Sequence, residues 1–231
     1  TGCESVDEVQ VRVFEKPQPQ FSFNRVCETS PTVIADLSTL NSNAGDQITS
    51  WQWEMDYDGT TFNKEAALDN QRNIQYTYPQ PGTYAVALRV TTSTGMCSSL
   101  LQQTVQVDPL PLASFTPNIT SGCSTLPVQL TNHAVNGQLD AIKEFIWEVD
   151  DGSGFETDSV QKPGDPGFSD VFVRDFINTG TVNRDYRIRL RVVTVNNCER
   201  TSPPTTITVF PQPRSGFVSL NYSPFNDNCS P

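Results

Sequence analysis

Histidine is almost missing from this chain: His133 is the only one in 231 residues, which also hold just two methionines and 15 lysines and arginines. A lone histidine at the end of a strand signal, with no Gly-x-Ser-x-Gly elbow, leaves no nucleophile with its base, so the residues argue against an enzyme. Nucleic-acid affinity is built from clustered Lys and Arg. With 26 acidic residues and a net charge of −11, the chain is not a nucleic-acid binder. No apolar run approaches the roughly 18 residues of a membrane span, and no signal peptide begins at Thr1. The sequence therefore reads as a mature, soluble window without a membrane span, any export signal or anchor lying outside it. CxxC pairs with accompanying histidines are missing too. The six cysteines then read as a disulfide framework formed in an oxidising compartment rather than as a zinc site.

What the chain does have is repetition. Val13-Phe14-Glu15-Lys16-Pro17-Gln18-Pro19-Gln20-Phe21 is echoed by residues 107–115 and again by 209–217, each carrying Pro-x-Pro between an apolar residue and a phenylalanine. Cys27, Cys123 and Cys229 each follow one of these seams by a similar distance. Cys3, Cys97 and Cys198 each precede one, while Trp53 corresponds to Trp147 and Tyr84 to Tyr186. A period of roughly 95–105 residues is too long for a solenoid unit and suits whole β-sandwich domains. The expected division is a C-terminal strand of a preceding repeat over 1–14, domains over 15–108 and 109–210, and the first strand of a following repeat over 211–231.

Alternating apolar residues between turn clusters predict strands at 9–13, 20–23, 32–36, 48–56, 73–78, 83–91 and 101–107. In the second repeat they fall at 114–115, 128–132, 142–149, 171–176, 186–195 and 205–209. The longer middle of that repeat, around 161–167, is expected as a surface loop, and residues 64–68 as at most one helical turn. The fold class is all-β: tandem immunoglobulin-like sandwiches joined end to end. Proline fixes φ and extends its predecessor, so the Pro-x-Pro seams predict short, stiff connectors.

Trp53-Glu54-Met55-Asp56-Tyr57-Asp58-Gly59 and Trp147-Glu148-Val149-Asp150-Asp151-Gly152 stand where PKD-type repeats carry Trp-Asp-Phe-Gly-Asp-Gly. Tyr76-Thr77-Tyr78-Pro79-Gln80-Pro81-Gly82-Thr83-Tyr84-Ala85-Val86-Ala87-Leu88-Arg89-Val90 resembles the same family's Pro-Gly-x-Tyr-x-Val-x-Leu-x-Val segment. Repeat two keeps Tyr186-Arg187-Ile188-Arg189-Leu190-Arg191-Val192 but has Asn183-Arg184-Asp185 in place of Pro-Gly, so it resembles a divergent member. The cysteines, the seams and Asn197-Cys198-Glu199 resemble repeats of giant surface proteins of gliding bacteria that export through the type IX route. That resemblance implies a non-catalytic stalk or spacer of a secreted cell-surface adhesin. Its partners would be neighbouring repeats, with surface polysaccharide or cell-envelope proteins also open to it. Two alternatives stand beside it: a carbohydrate-binding accessory module of a secreted polysaccharide-degrading enzyme, and a calcium-rigidified extracellular filament.

Candidate site residues divide by chemistry. Trp53, Trp147, Tyr84 and Tyr186 are expected as core aromatics, with Trp51 the one candidate for stacking on a sugar. No cofactor is expected beyond calcium, for which Asp56, Asp58, Asp150 and Asp151 could supply carboxylates; an Asx turn accounts for the same residues. Asp158-Ser159-Val160 matches a short O-glycan acceptor pattern at Ser159, as the resemblance implies. The topology of an immunoglobulin-like sandwich would put Cys27 and Cys97 a domain-length apart, beyond the roughly 7 Å Cα limit of a disulfide. Cys27–Cys198 is then one expected pairing. Within-repeat pairs (Cys27–Cys97, Cys123–Cys198) and a pair across the seam (Cys97–Cys123) stay open.

Overall fold

The computed structural model describes Gly2 and residues 5–41, 45–136 and 141–213. The chain divides into two compact units, Thr1–Val107 and Asp108–Pro231. Each is an all-β, immunoglobulin-like sandwich, because each strand buries alternate residues and needs a second sheet to cover them.

In unit 1 the strands are β1 (Phe21–Phe23), β2 (Val26–Cys27), β3 (Thr32–Asp36), β4 (Ile48–Glu54), β5 (Asn73–Tyr76), β6 (Gly82–Thr92) and β7 (Ser98–Asp108). One sheet has the order β1-β3-β5 and the other β2-β7-β6-β4. Between them Ile34, Trp53, Val86, Leu88 and Val90 are fully buried. Phe21 meets the Trp53 ring edge-on at 5.3 Å.

Unit 2 has the same layout with additions: β8 (Phe115–Pro117), β9 (Ser121–Cys123), β10 (Leu126–Asn132), β11 (Ile142–Asp150), β12 (Phe155–Gln161), β13 (Val171–Phe176), β14 (Arg184–Thr194), β15 (Glu199–Thr201) and β16 (Thr205–Phe210). Its sheets run β13-β10-β8 and β12-β11-β14-β16-β9, with β15 also on β14. Phe115 meets Trp147 edge-on at 5.3 Å, repeating the contact of unit 1. The register slips at the same place in both units, between Ile48 and Ser50 on β4 and between Ile142 and Glu144 on β11.

Three features differ from the sequence expectation. Val9-Gln10-Val11-Arg12-Val13 joins none of the sheets, and Val6, Val9, Val11 and Val13 are 81–83% exposed. Alternation marks a face that can be buried, but a strand forms only where a sheet accepts it. The short β2 and β9 carry no readable period over two or three residues. They are created by docking onto the last strand, β9 running parallel to β16 with Gly122 beside Val209. The insert of unit 2 begins as a strand, β12, and only residues 162–170 form the loop. Residues 214–231, expected to open a further repeat, lie outside the described residues. The expected helical turn is a 3-10 turn, Ala66–Leu68.

Candidate functional site

The cysteines are placed by the sandwich ends. In unit 1 the β6–β7 hairpin closes through Thr92 N–H to Cys97 O (3.0 Å). In unit 2 the β14–β15 hairpin closes through Thr194 N–H to Cys198 O (2.9 Å). Each turn is completed by a left-handed residue, Gly95 (φ 70°) and Asn197 (φ 61°). Cys198 thus sits at the hairpin end of its unit. Cys123 faces Phe210, at the far end of β16. Glu199 pairs with Val193 and Val209 with Arg184, so the two cysteines are separated by that length of β14, roughly 30 Å at about 3.3 Å per residue. A disulfide spans at most about 7 Å between Cα atoms, which excludes Cys123–Cys198.

Cys27, Cys123 and Cys198 are nonetheless each disulfide-bonded. Cys97 is a free, half-buried thiol whose Sγ donates to Phe14 O at 3.7 Å. The pairs Cys27–Cys97 and Cys97–Cys123 are therefore not formed. Cys3 and Cys229 lie outside the described residues.

Three of the four aspartates bond to their own loops. Asp58 Oδ1 accepts Thr60 N–H (2.7 Å), Thr60 Oγ1–H (2.9 Å) and Thr61 N–H (3.1 Å). The Thr60 N–H, foremost among these, holds its carboxyl below the usual range. Asp150 Oδ1 accepts Gly152 N–H (2.7 Å) and Gly154 N–H (3.0 Å), and Arg187 binds its other oxygen. Those glycine amides lower its pKa first and Arg187 next. Asp151 takes the Ser153 hydroxyl (2.8 Å) and Arg184 (2.9 Å), and its pKa is lowered chiefly by that hydroxyl. Asp56 is exposed. Among the described residues, three or more His, Cys, Asp or Glu side chains nowhere gather as a metal cluster.

Trp53 and Trp147 are fully buried and Tyr186 is buried, whereas Tyr84 is half-buried. Both tyrosines tie the start of their strand to an upstream carbonyl, Tyr84 to Gln80 O (2.7 Å) and Tyr186 to Ile177 O (2.6 Å). Trp51 borders a 260 Å³ hollow with Asp46, Gln47, Ile48 and Arg72. Its Nε1–H donates to Asp36 Oδ2 (2.9 Å), and the Arg72 guanidinium lies over the ring at 5.1 Å. A sugar platform needs an open indole face, and Arg72 occupies one face of this ring. Ser159 is half-buried on β12 opposite Trp147. His133 is exposed and shares a 2.9 Å hydrogen bond with Thr116.

Two charged groupings were not foreseen. Arg187, Arg189 and Arg191 alternate along β14 and so share one face. There Arg189 and Arg191 both bind Glu148 (2.7 and 3.2 Å), and Arg189 lies 4.0 Å over Phe155. The period-two spacing of arginines was the available signal. In unit 1 Asp46 receives the Ser93 hydroxyl, Thr94 N–H (3.2 Å) and Thr94 Oγ1–H (3.0 Å), and so clasps the hairpin. The Ser93 bond leads in lowering its pKa to about 2. A 380 Å³ hollow in unit 2 is lined by Asp151, Glu156, Asp158, Arg174, Arg184 and Tyr186. Its arginines are already paired, Arg174 with Asp158 (2.7 Å) and Arg184 with Asp151 (2.9 Å). Among the described residues no helix is long and apolar enough to cross a membrane.

Residues 15–109 match the family described as PKD domain. No curated protein matches the chain. Solved structures similar to it include chicken CNTN1 FN1–FN3 domains, at 10% identity over 85% of this chain and 69% of that one, with a TM-score of 0.42. The fibronectin(III)-like modules of Clostridium thermocellum CbhA align at 13% identity over 84% and 94%, with a TM-score of 0.40. Carbohydrate-binding modules from the β-sandwich superfamily align at 15% identity over 84% and 97%, with a TM-score of 0.34.

Proposed function

We propose that the chain is a non-catalytic stalk segment of a large secreted surface adhesin, holding other domains away from the cell and serving surface attachment or gliding. The observation that carries this reading is the placement of cysteines. Cys123 and Cys198 are both disulfide-bonded yet stand at opposite ends of one sandwich, and Cys97, in the same hairpin of the other unit, is free. A disulfide from Cys198 to a cysteine of another sandwich would tie the two domains to each other. The pairing that fits is Cys27 with Cys198, a staple across the Asp108-Pro109-Leu110-Pro111 seam. Sulfur and proline would then restrain the same joint, as an extracellular spacer under tension requires. Disulfides also fit an oxidising, extracellular setting.

A non-reducing peptide map tests the staple. Cys27 joined to Cys198 is the expected result, and Cys27 joined to Cys97 would make each unit an independent bead. The spacer role is tested in the native surface protein by replacing this segment with an unrelated rigid spacer of equal length, which should preserve attachment, whereas deletion should weaken it. Binding of the isolated chain to surface polysaccharide, lost in Trp51→Ala, would favour the carbohydrate-binding reading instead. Calcium stiffening would appear as a fall in melting temperature on chelation. Because Asp58, Asp150 and Asp151 are already committed to N–H, hydroxyl and guanidinium donors, chelation should leave it unchanged.

A further inference from the structure

We infer that Cys97 forms a disulfide with a cysteine occupying, in another sandwich unit of this kind, the position Cys27 occupies in unit 1. The inference rests on the stapled-stalk reading and extends it to a joint between unit 1 and a further unit. Its independent support is the comparison of the two hairpins. Thr92, Ser93, Gly95 and Cys97 correspond to Thr194, Val195, Asn197 and Cys198 in three backbone hydrogen bonds, although Met96 makes the first turn one residue longer. Thr92 and Thr194 N–H reach the cysteine carbonyls, Gly95 and Asn197 N–H return to Thr92 O and Thr194 O (2.9 Å each), and Ser93 and Val195 N–H reach Gln47 O and Ala141 O (2.7 and 2.9 Å). The two strand ladders therefore place each cysteine opposite the corresponding threonine. In unit 2 that position is bonded and fully buried; in unit 1 it is free and half-exposed. Cys27 and Cys123, which also match one another, are both bonded, so Cys97 is the one described cysteine whose counterpart is bonded while it is not.

The chemistry is thiol–disulfide exchange with a small-molecule or protein disulfide as oxidant. One thiolate attacks the oxidant and displaces a thiolate from it. The second thiolate attacks the resulting mixed disulfide, forming the new S–S bond and releasing the oxidant as dithiol. Two cysteine thiols are oxidised and one disulfide is reduced. The partner cysteine belongs either to another unit of the same polypeptide or to a second chain, and both present the same sulfur.

The test is a non-reducing digest of the native protein isolated from its source in excess maleimide. The peptide containing Cys97 should be recovered joined to a peptide from outside residues 1–231, at a cysteine that follows a Pro-x-Pro seam, and Cys97→Ser should abolish that species while leaving Cys27–Cys198 in place. If the partner is in the same polypeptide, the protein keeps its size on a reducing gel; if it is in a second chain, the size halves. Recovery of Cys97 as its maleimide adduct, or joined to Cys27 or Cys123, overturns the inference. Finding Cys27–Cys198 beside an alkylated Cys97 would sink this inference alone. Losing Cys27–Cys198 as well would sink the stalk reading with it.

Discussion

Units 1 and 2 hang the same tryptophan on the same strand and finish the neighbouring edge differently. In unit 1 the edge of β4 is met by an irregular segment: Glu65 N–H donates to Trp53 O (2.7 Å) and Asn70 N–H to Trp51 O (2.8 Å), with the 3-10 turn between them. The Trp53 indole donates to Gln71 O at 2.7 Å. In unit 2 a full strand, β12, pairs along β11, and the Trp147 indole donates to Gln161 Oε1 at 2.8 Å. The buried ring and its satisfied N–H are held constant while the backbone that satisfies them is exchanged. A buried indole N–H needs a partner, but either a carbonyl or an amide side chain will serve. The carboxylate after each tryptophan shows the same freedom. Glu54 accepts Asn63 N–H (2.6 Å), whereas Glu148 is held by two arginines.

The sharpest way to break this comparison is to remove the constant. Trp53→Ala and Trp147→Ala should each cost about 3–5 kcal/mol, read as loss of one of two unfolding transitions in denaturant. If either substitution lowered both transitions equally, the units would not fold separately. Next in size is the cysteine contrast. Cys198→Ser should cost about 2–4 kcal/mol, while Cys97→Ser should stay within about 0.5 kcal/mol in this chain, where the thiol is free. Glu148→Gln should destabilise unit 2 by about 1–3 kcal/mol, because two guanidinium groups lose their shared carboxylate. Glu54→Gln keeps an acceptor for one amide and should cost less, by the same denaturation assay.

A pH titration sharpens the comparison further. Asp46 has a folded pKa of about 2, below the roughly 3.9 of an unfolded aspartate. Its contribution is therefore complete above about pH 4 and disappears as pH falls toward 2. The acid limb of a melting-temperature profile for unit 1 should flatten in Asp46→Asn. The smallest effect concerns the hairpins. Gly95→Ala should cost about 1 kcal/mol, since alanine resists the left-handed φ, and Asn197→Gly should shift stability by only a few tenths.

The long strands were legible because alternation and turn residues agree: β3 and β13 fall on their expected bounds, and β4, β6, β11 and β14 within about two residues. β12 was not legible. Phe155-Glu156-Thr157-Asp158-Ser159-Val160-Gln161 is mostly exposed, so an edge strand with little to bury shows little period. The candidate site divides in the same way. The aspartate turns announce themselves as local motifs, since Asp58 and Asp151 bond residues two or three positions away. The Asp46 clasp joins residues 47 and 48 positions apart and leaves no local trace.

By itself the sequence determined the all-β class, the period of the repeats, the buried tryptophans' place on their strands and the acidic, disulfide-forming character of the chain. These follow from side-chain chemistry and from the alternation that a pleated strand imposes. Tertiary structure alone decided that Val9-Gln10-Val11-Arg12-Val13 joins no sheet, that β9 runs parallel to β16, and that Cys123 and Cys198 stand too far apart to pair. Each of these depends on which strand lies beside which, a long-range choice made by packing two sheets together and not by any residue's own preference.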